Sequence, residues 1–176
     1  MINGILKEKK ALFIVAPEGF QDTELVEPMK ELEKHKIEIT IASKKVKEAK
    51  GKLGGTAIVD YDIDDILVQD YDAVIFVGGP GAATYFDDET AHSIAREALE
   101  EEKIVAAICI APVILANSGI LKNKKATVFP SGKKELEEAG AKYTAEDVTV
   151  DGNIVTANGP AAAKKFAQKI IELLSK

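Results

Sequence analysis

Three continuous apolar runs along the chain predict strands that are buried on both faces. They cover Ala11–Ala16, Ala73–Val77 and Ile104–Ile108. Short runs without polar alternation are typical of strands in a parallel sheet that helices cover on both sides. Each run ends where the backbone is broken or redirected, namely at Pro17, at Gly78–Gly81 and at Cys109.

Between these runs, apolar residues recur at helical spacing. Leu25, Met29 and Leu32 lie on one face of a predicted helix that Asp22 or Thr23 can cap. Further helices are predicted over about 90–102, 111–117, 133–139 and 161–174, and further strands over 37–42, 56–61, 126–129 and in a hairpin within 148–156.

The alternation of strands and helices predicts the fold class. We expect a single α/β domain over residues 1–176, with a mostly parallel, flavodoxin-like central sheet sandwiched by helices. Ligands of such sheets bind outside the carboxyl ends of the strands. Three segments follow predicted strands in this way, Pro17–Glu24, Gly78–Gly81 and Cys109–Pro112, and we expect them to form the site.

Charge and composition exclude several classes of partner. The net charge is −6 and Arg96 is the sole arginine, which disfavours nucleic acid as a partner. One cysteine cannot form an internal disulfide, so nothing indicates an oxidising compartment. The early apolar run is too short for a membrane span or a signal-peptide core. We therefore expect a cytoplasmic protein without membrane association.

Cys109 is the strongest candidate for chemistry. It follows a predicted strand and precedes a predicted helix with almost no spacer, as the nucleophile of a strand–turn–helix elbow does. The free N–H groups and dipole of the new helix are expected to favour the thiolate. From position alone, an inert buried cysteine remains the alternative.

Four segments together resemble the ThiJ/PfpI (DJ-one) superfamily, which has a class I glutamine-amidotransferase-like fold. Ala106–Pro112 resembles its nucleophile elbow and Val77–Ala82 its glycine turn. Val15–Pro17 followed by Asp22–Leu25 resembles its first loop and helix, and Ile154–Pro160 its final strand and loop. The likeness covers nearly the whole chain in the expected order.

The resemblance implies specific roles for residues. Cys109 would be the reactive residue and Glu24 its acidic partner, held protonated because two adjacent anions do not both persist in a half-buried site. From spacing alone, Glu24 could instead merely complement the helix dipole. The amides of Gly79 and Ile110 would bind an anion. Gly78, Gln21, Phe129 and Pro160 are further expected site residues.

The two histidines limit the chemistry. His35 and His92 are both expected to be exposed, and the chain predicts no metal site and no cofactor. Peptidase-like members of the superfamily carry a histidine directly after the cysteine, where this chain has Ile110. Another branch places a histidine before a later proline, where Phe129 precedes Pro130 here. Both familiar bases are therefore missing, which disfavours proteolysis.

The sequence leaves several functions open. The first is a stress-protective, cysteine-dependent enzyme that acts on small reactive carbonyls, like a glyoxalase or deglycase, through Cys109. The alternatives are a redox sensor or chaperone-like protein that uses oxidation of the same thiol, and an intracellular peptidase or amidase. In a fourth interpretation the cysteine is structural. The predicted partners are a small carbonyl compound or oxidant and, as the resemblance implies, a second copy of the chain.

Overall fold

The computed structural model describes Leu6 and residues 8–176, and its elements alternate between strand and helix as expected. In chain order the elements are β1 (Lys10–Ile14), β2 (Glu18–Phe20), α1 (Asp22–Lys34), β3 (Glu38–Ser43), β4 (Glu48–Gly51), β5 (Thr56–Ile58), β6 (Tyr61–Asp62), β7 (Ala73–Phe76), α2 (Glu89–Glu100), β8 (Ile104–Ile108), α3 (Pro112–Ser118), β9 (Lys125–Ala126), α4 (Lys133–Glu138), β10 (Lys142–Tyr143), β11 (Val148–Asp151), β12 (Ile154–Ala157) and α5 (Ala163–Leu174).

A seven-stranded sheet in the order β11-β12-β8-β7-β1-β3-β6 forms the centre of the fold. Its neighbouring strands are parallel except for the β11–β12 hairpin at one edge. The carboxyl ends of β1, β7, β8 and β12 therefore meet at one edge of the sheet. This arrangement confirms the predicted mostly parallel α/β architecture.

The central strands are buried because each contributes side chains to a core on both faces of the sheet. Phe13 of β1 packs in a core that includes Leu32 of α1 and Phe166 of α5. The adjacent Ile14 packs in the opposite core, which includes Ile94 of α2. Alternate residues of a strand point to opposite faces, so a strand between two helical layers is apolar throughout.

A second, three-stranded sheet in the order β2-β4-β5 was not predicted from the sequence. Of its strands, only β5 was expected, as part of the strand over 56–61. β2 and β4 have three or four residues and alternate only weakly, so hydrophobic periodicity does not reveal them. The β4–β5 hairpin carries the turn Gly51–Gly55. This turn lies beside Cys109, since its Lys52 lines the same cavity.

Three predicted elements differ from the structure. The single strand expected over 56–61 is two strands, Thr56–Ile58 and Tyr61–Asp62, which belong to different sheets. The strand expected over 126–129 consists of Lys125–Ala126 only, because the Thr127 amide binds the Thr156 hydroxyl (2.9 Å) instead of continuing a ladder. The last helix begins at Ala163 after a 3₁₀ turn, not at 161. No helix in the part of the chain described here is long and apolar enough to cross a membrane.

Candidate active site

Cys109 lies on the predicted elbow between β8 and α3. Its φ angle is +64°, in the left-handed region that a non-glycine residue adopts only under local constraint. That constraint is visible in the backbone: the Cys109 amide donates to Ala157 O (2.8 Å), and its carbonyl accepts from the Phe129 amide (2.7 Å). The elbow is thus held between two other segments, and the thiol lies at the carboxyl edge of the sheet.

Glu24 is fully buried beside the thiol, so its position is not that of a surface acid that merely complements a helix dipole. Helix α1 places it there. The helix begins with Gln21 as its N-cap, since the Gln21 side chain accepts from the Glu24 amide (3.2 Å). The predicted capping residues Asp22 and Thr23 were wrong, because both lie within the first turn, and Asp22 uses its carboxylate to bind the β4–β5 turn.

The two oxygens of the Glu24 carboxyl have different surroundings. Oε1 accepts a hydrogen bond from the Gly78 amide (3.0 Å). Oε2 is buried and has no partner of regular hydrogen-bond geometry in the described part of the chain. The thiol of Cys109 interacts with this carboxyl and affects its pKa. The structure therefore brings the predicted pair together.

Gly78 lies between Glu24 and Cys109, where there is no room for a side chain. A Cβ atom at Gly78 would lie 2.5 Å from Glu24 Oε1, 2.6 Å from Ile108 O and 2.7 Å from Cys109 Cβ. Contacts this short do not occur between real Cβ atoms and such neighbours. A residue with a side chain at this position would force the carboxyl and the thiol apart.

Burial governs the ionisation of the pair. It raises the pKa of Glu24 from 4.5 to about 7, against the lowering effects of the Cys109 thiol, the Gly78 amide and the charge of Lys52. Burial, together with the charge and hydrogen bond of Glu24, raises the pKa of the Cys109 thiol to about 12. The expectation that the helix N-terminus makes this thiol acidic was therefore wrong, since desolvation and the carboxyl outweigh the nearby amides.

Two backbone amides act on the sulfur in the opposite direction. Those of Ile110 and Gly79 lower the pKa of Cys109 by hydrogen bonding. Gly79 has a φ of +101°, and a Cβ there would lie 2.5 Å from both Gln21 N and Gly19 O. The glycine turn therefore packs directly against the first loop, with the Gly79 amide beside the sulfur. That Gly79 and Ile110 bind an anion stays a prediction.

A cavity of about 300 Å³ opens above the sulfur. Its lining consists of Gln21, Lys52, Gly79, Pro80, Cys109, Ile110, Phe129, Ser131 and Pro160. Of the predicted site residues, Glu24 and Gly78 are not in this lining. Pro80 belongs to the segment Gly78–Gly81 that was expected at the site. Sequence reasoning missed Lys52 and Ser131, which occupy exposed positions where no periodicity or motif identified them.

Comparison with known proteins places this site in a family. The family model described as DJ-1/PfpI matches residues 9–173. The chain belongs to the DJ-1/PfpI family. It is 35% identical to the deglycase PH1704 of Pyrococcus horikoshii, over 94% of this chain and 99% of that protein. It is 25% identical to the glutathione-independent glyoxalase DJR-1.2 of Caenorhabditis elegans, over 95% and 89% of the respective chains.

Solved structures of DJ-1/PfpI proteins share the fold. A ThiJ/PfpI domain protein from Brachyspira murdochii superposes with a TM-score of 0.92 at 35% identity, covering 94% of this chain and 95% of the other. The predicted superfamily and its class I glutamine-amidotransferase-like fold are thereby confirmed.

The histidines of this DJ-1/PfpI chain take no part in the cavity lining. His92 is buried, with Nε2 2.7 Å from Phe86 O, so its predicted exposure was wrong. His35 is only partly exposed, and its Nδ1 is buried without a hydrogen-bond partner among the described residues. In the same part of the chain, no group of three His, Cys, Asp or Glu side chains could hold a metal ion.

Proposed function

We propose that the chain is a cysteine-dependent enzyme that acts on small reactive carbonyl compounds, with a glyoxalase- or deglycase-like reaction at Cys109. The observation that carries this proposal is the buried Glu24 carboxyl, with a pKa of about 7, interacting with a thiol that lines an open cavity. A general base is most effective when its pKa lies near the working pH. Glu24 meets that condition, whereas an ordinary carboxyl at 4.5 is a weaker base.

The first step is addition of the thiol to an aldehyde. The sulfur of Cys109 forms a bond to the carbonyl carbon, and the thiol proton moves to the Glu24 carboxylate. The electron pair of the C=O π bond moves to oxygen, and the protonated Glu24 then returns the proton to that oxygen. The product is a neutral hemithioacetal on Cys109, and Glu24 is again a carboxylate.

The amides of Gly79 and Ile110 suit the charge that develops in this step. Both lie beside the sulfur, where they lower the pKa of the thiol, and the carbonyl oxygen becomes negative next to that sulfur during addition. Because backbone amides are fixed, they stabilise the oxyanion without reorganisation. The deglycase and glyoxalase names of two relatives support the same class of reaction.

Consumption of methylglyoxal tests the proposal. The purified protein should convert it to lactate, a net addition of one water molecule, while Cys109→Ser should be inactive because a hydroxyl is far harder to ionise. Glu24→Gln should lose most of the activity, since an amide cannot accept the proton. Glu27→Gln, one turn further along α1, is the matched control and should retain it. Absence of turnover by the unaltered protein would refute the proposal.

A redox function is a second candidate, and one observation favours it. The unpartnered Oε2 of Glu24, when protonated, can donate a hydrogen bond to an oxygen added to the Cys109 sulfur. Two equivalents of hydrogen peroxide would convert the thiol to a sulfinic acid and release two water molecules. Intact-mass measurement after mild peroxide treatment should show two added oxygens, and their absence would remove this candidate.

A further inference from the structure

Lys52 brings a positive charge to the edge of the cavity. It is the single lysine among the residues that line the space above Cys109, and it comes from the β4–β5 turn rather than from the central sheet. Its charge acts on the buried carboxyl of Glu24. The ammonium group and the reactive pair are thus close enough to influence the same bound molecule.

The turn that carries Lys52 is fixed by Asp22. The carboxylate of Asp22 accepts hydrogen bonds from the amides of Leu53 (2.8 Å) and Gly55 (2.7 Å). A Cβ at Gly51 or Gly55 would lie 2.3 or 2.5 Å from Asp22 Oδ2, so both glycines are needed for this close approach. The backbone on both sides of Lys52 is therefore held in place by Asp22.

The ammonium group of Lys52 is available to a ligand. Lys9, Lys34 and Lys44 form ion pairs with carboxylates of this chain, whereas no ion pair involves Lys52 among the described residues. Its side chain is exposed, so the solvated charge costs little to maintain. A solvated cation beside a cavity becomes a binding group when an anion enters.

We infer that Lys52 selects carbonyl compounds that carry a carboxylate close to the reacting carbon. Above neutral pH the Cys109–Glu24 pair itself carries a negative charge, which repels an anionic substrate. Lys52 offsets that repulsion and attracts the carboxylate, while the remaining lining offers mainly apolar contacts and the amide of Gln21. This inference rests on the proposed function for its substrate class, but the binding preference is a property of the site itself.

Two alkylating reagents of nearly equal size test the preference without any turnover. Iodoacetate is an anion and iodoacetamide is neutral, and both alkylate Cys109. Each rate is divided by the rate of the same reagent with free cysteine. The normalised iodoacetate rate is then divided by the normalised iodoacetamide rate, and this ratio does not depend on how much thiolate is present. Lys52→Gln should lower this ratio about fivefold, as expected for one ion pair at a partly solvated site.

Control variants show whether a change in the ratio comes from the charge of Lys52 beside the cavity. Lys52→Arg keeps the charge and should keep the ratio. Lys50→Gln removes an exposed lysine of β4 that does not line the cavity, and it should leave the ratio unchanged. Raising the salt concentration to about 1 M should lower the ratio of the unaltered protein, because the screening length falls to about 3 Å.

An unchanged ratio in Lys52→Gln would overturn the inference. Equal changes in both alkylation rates would do the same, since they would show that the lysine only adjusts the ionisation of the pair. Failure of methylglyoxal turnover would refute the proposed enzyme and would leave the alkylation ratio unaffected, so the two failures are distinguishable.

Discussion

Among individual residues, the proposed reaction depends on a pair of groups that titrate together. Glu24 and Cys109 interact strongly, so the two protons leave in two steps that belong to the pair. The first step lies near 7 and the second near 12. Between them the carboxyl is ionised and the thiol keeps its proton, so the carboxylate can accept that proton while the sulfur attacks a carbonyl.

The position of Gly78 gives a direct test of this geometry. Gly78→Ala should reduce methylglyoxal turnover about a hundredfold, because the new methyl group separates the carboxyl from the thiol. It should also destabilise the fold by about 1–3 kcal/mol through overpacking. Turnover assays and thermal unfolding measure the two effects.

Gly159→Ala is the matched control for that change. Gly159 has an extended backbone, and a Cβ there would meet no atom within 4 Å. This variant should retain both activity and stability. Normal turnover in Gly78→Ala would show that the contact between Glu24 and Cys109 is not needed.

The sequence predicted which residues meet at the site but not their ionisation. Cys109 was identified by its position after a buried strand, and Glu24 by resemblance to the superfamily. The acidity of the thiol could not be predicted, because it depends on how completely the carboxyl and the sulfur are desolvated. Lys52 was missed for a related reason, since a lysine in a glycine-rich turn carries no signal of the cavity beside it.

At the element scale, capping residues fix the helices around the site. Asp88 caps α2 by accepting from the Ala91 amide (3.0 Å) and also forms an ion pair with Lys44. Burial would raise the pKa of Asp88, but Lys44 and the backbone amides more than offset it, so the pKa is lowered from 3.8. The charged carboxylate therefore stabilises the folded chain.

Removal of this cap should have a pH-dependent cost. Asp88→Ala should lower the free energy of unfolding by about 1–2 kcal/mol at neutral pH. Because the folded pKa is depressed, this stabilisation is present above the unfolded pKa of about 3.9 and is lost as pH falls through the folded pKa. The difference between variant and unaltered protein should hence shrink in acid.

Denaturant unfolding at several pH values measures that difference. Asp87→Ala, at the exposed neighbouring position, should change stability by less than about 0.5 kcal/mol at every pH. A difference for Asp88→Ala that is independent of pH would contradict the assigned ion pair and cap.

Long apolar or amphipathic elements were predictable, and short ones were not. The strand Ile104–Ile108 matches its prediction because five consecutive apolar residues are typical of a strand that is buried on both faces. The strand expected over 126–129 ends early because the Thr127 amide binds a side chain of β12. Such a choice between partners is decided by tertiary contacts, which periodicity does not contain.

At the scale of the whole molecule, parallel strands explain why distant segments form one site. The carboxyl ends of β1, β7 and β8 lie at the same edge, so the segments that follow them converge. The second sheet adds the turn with Lys52 to that edge. Fold and site location could therefore be predicted together, whereas the contribution of the second sheet could not.

We expect two copies of the chain to associate into a homodimer. Several large apolar side chains are exposed, among them Val26, Leu53 and Ile58 at 43%, 63% and 68%. Sedimentation equilibrium should give a species with twice the chain mass. A single species of the chain mass at micromolar concentration would contradict the prediction.

The rate of Cys109 alkylation by iodoacetamide as a function of pH shows whether Glu24 and Cys109 titrate as a pair. For the unaltered protein we predict a rise near pH 7 to a plateau, because one proton has then left the pair and the fraction of thiolate stays constant. For Glu24→Gln we predict no step at 7 and a single ionisation above the ordinary thiol value of 9.0, because burial still raises the pKa of Cys109. Identical profiles for the two proteins, with one step at 9 or above, would contradict the coupling of Glu24 to Cys109.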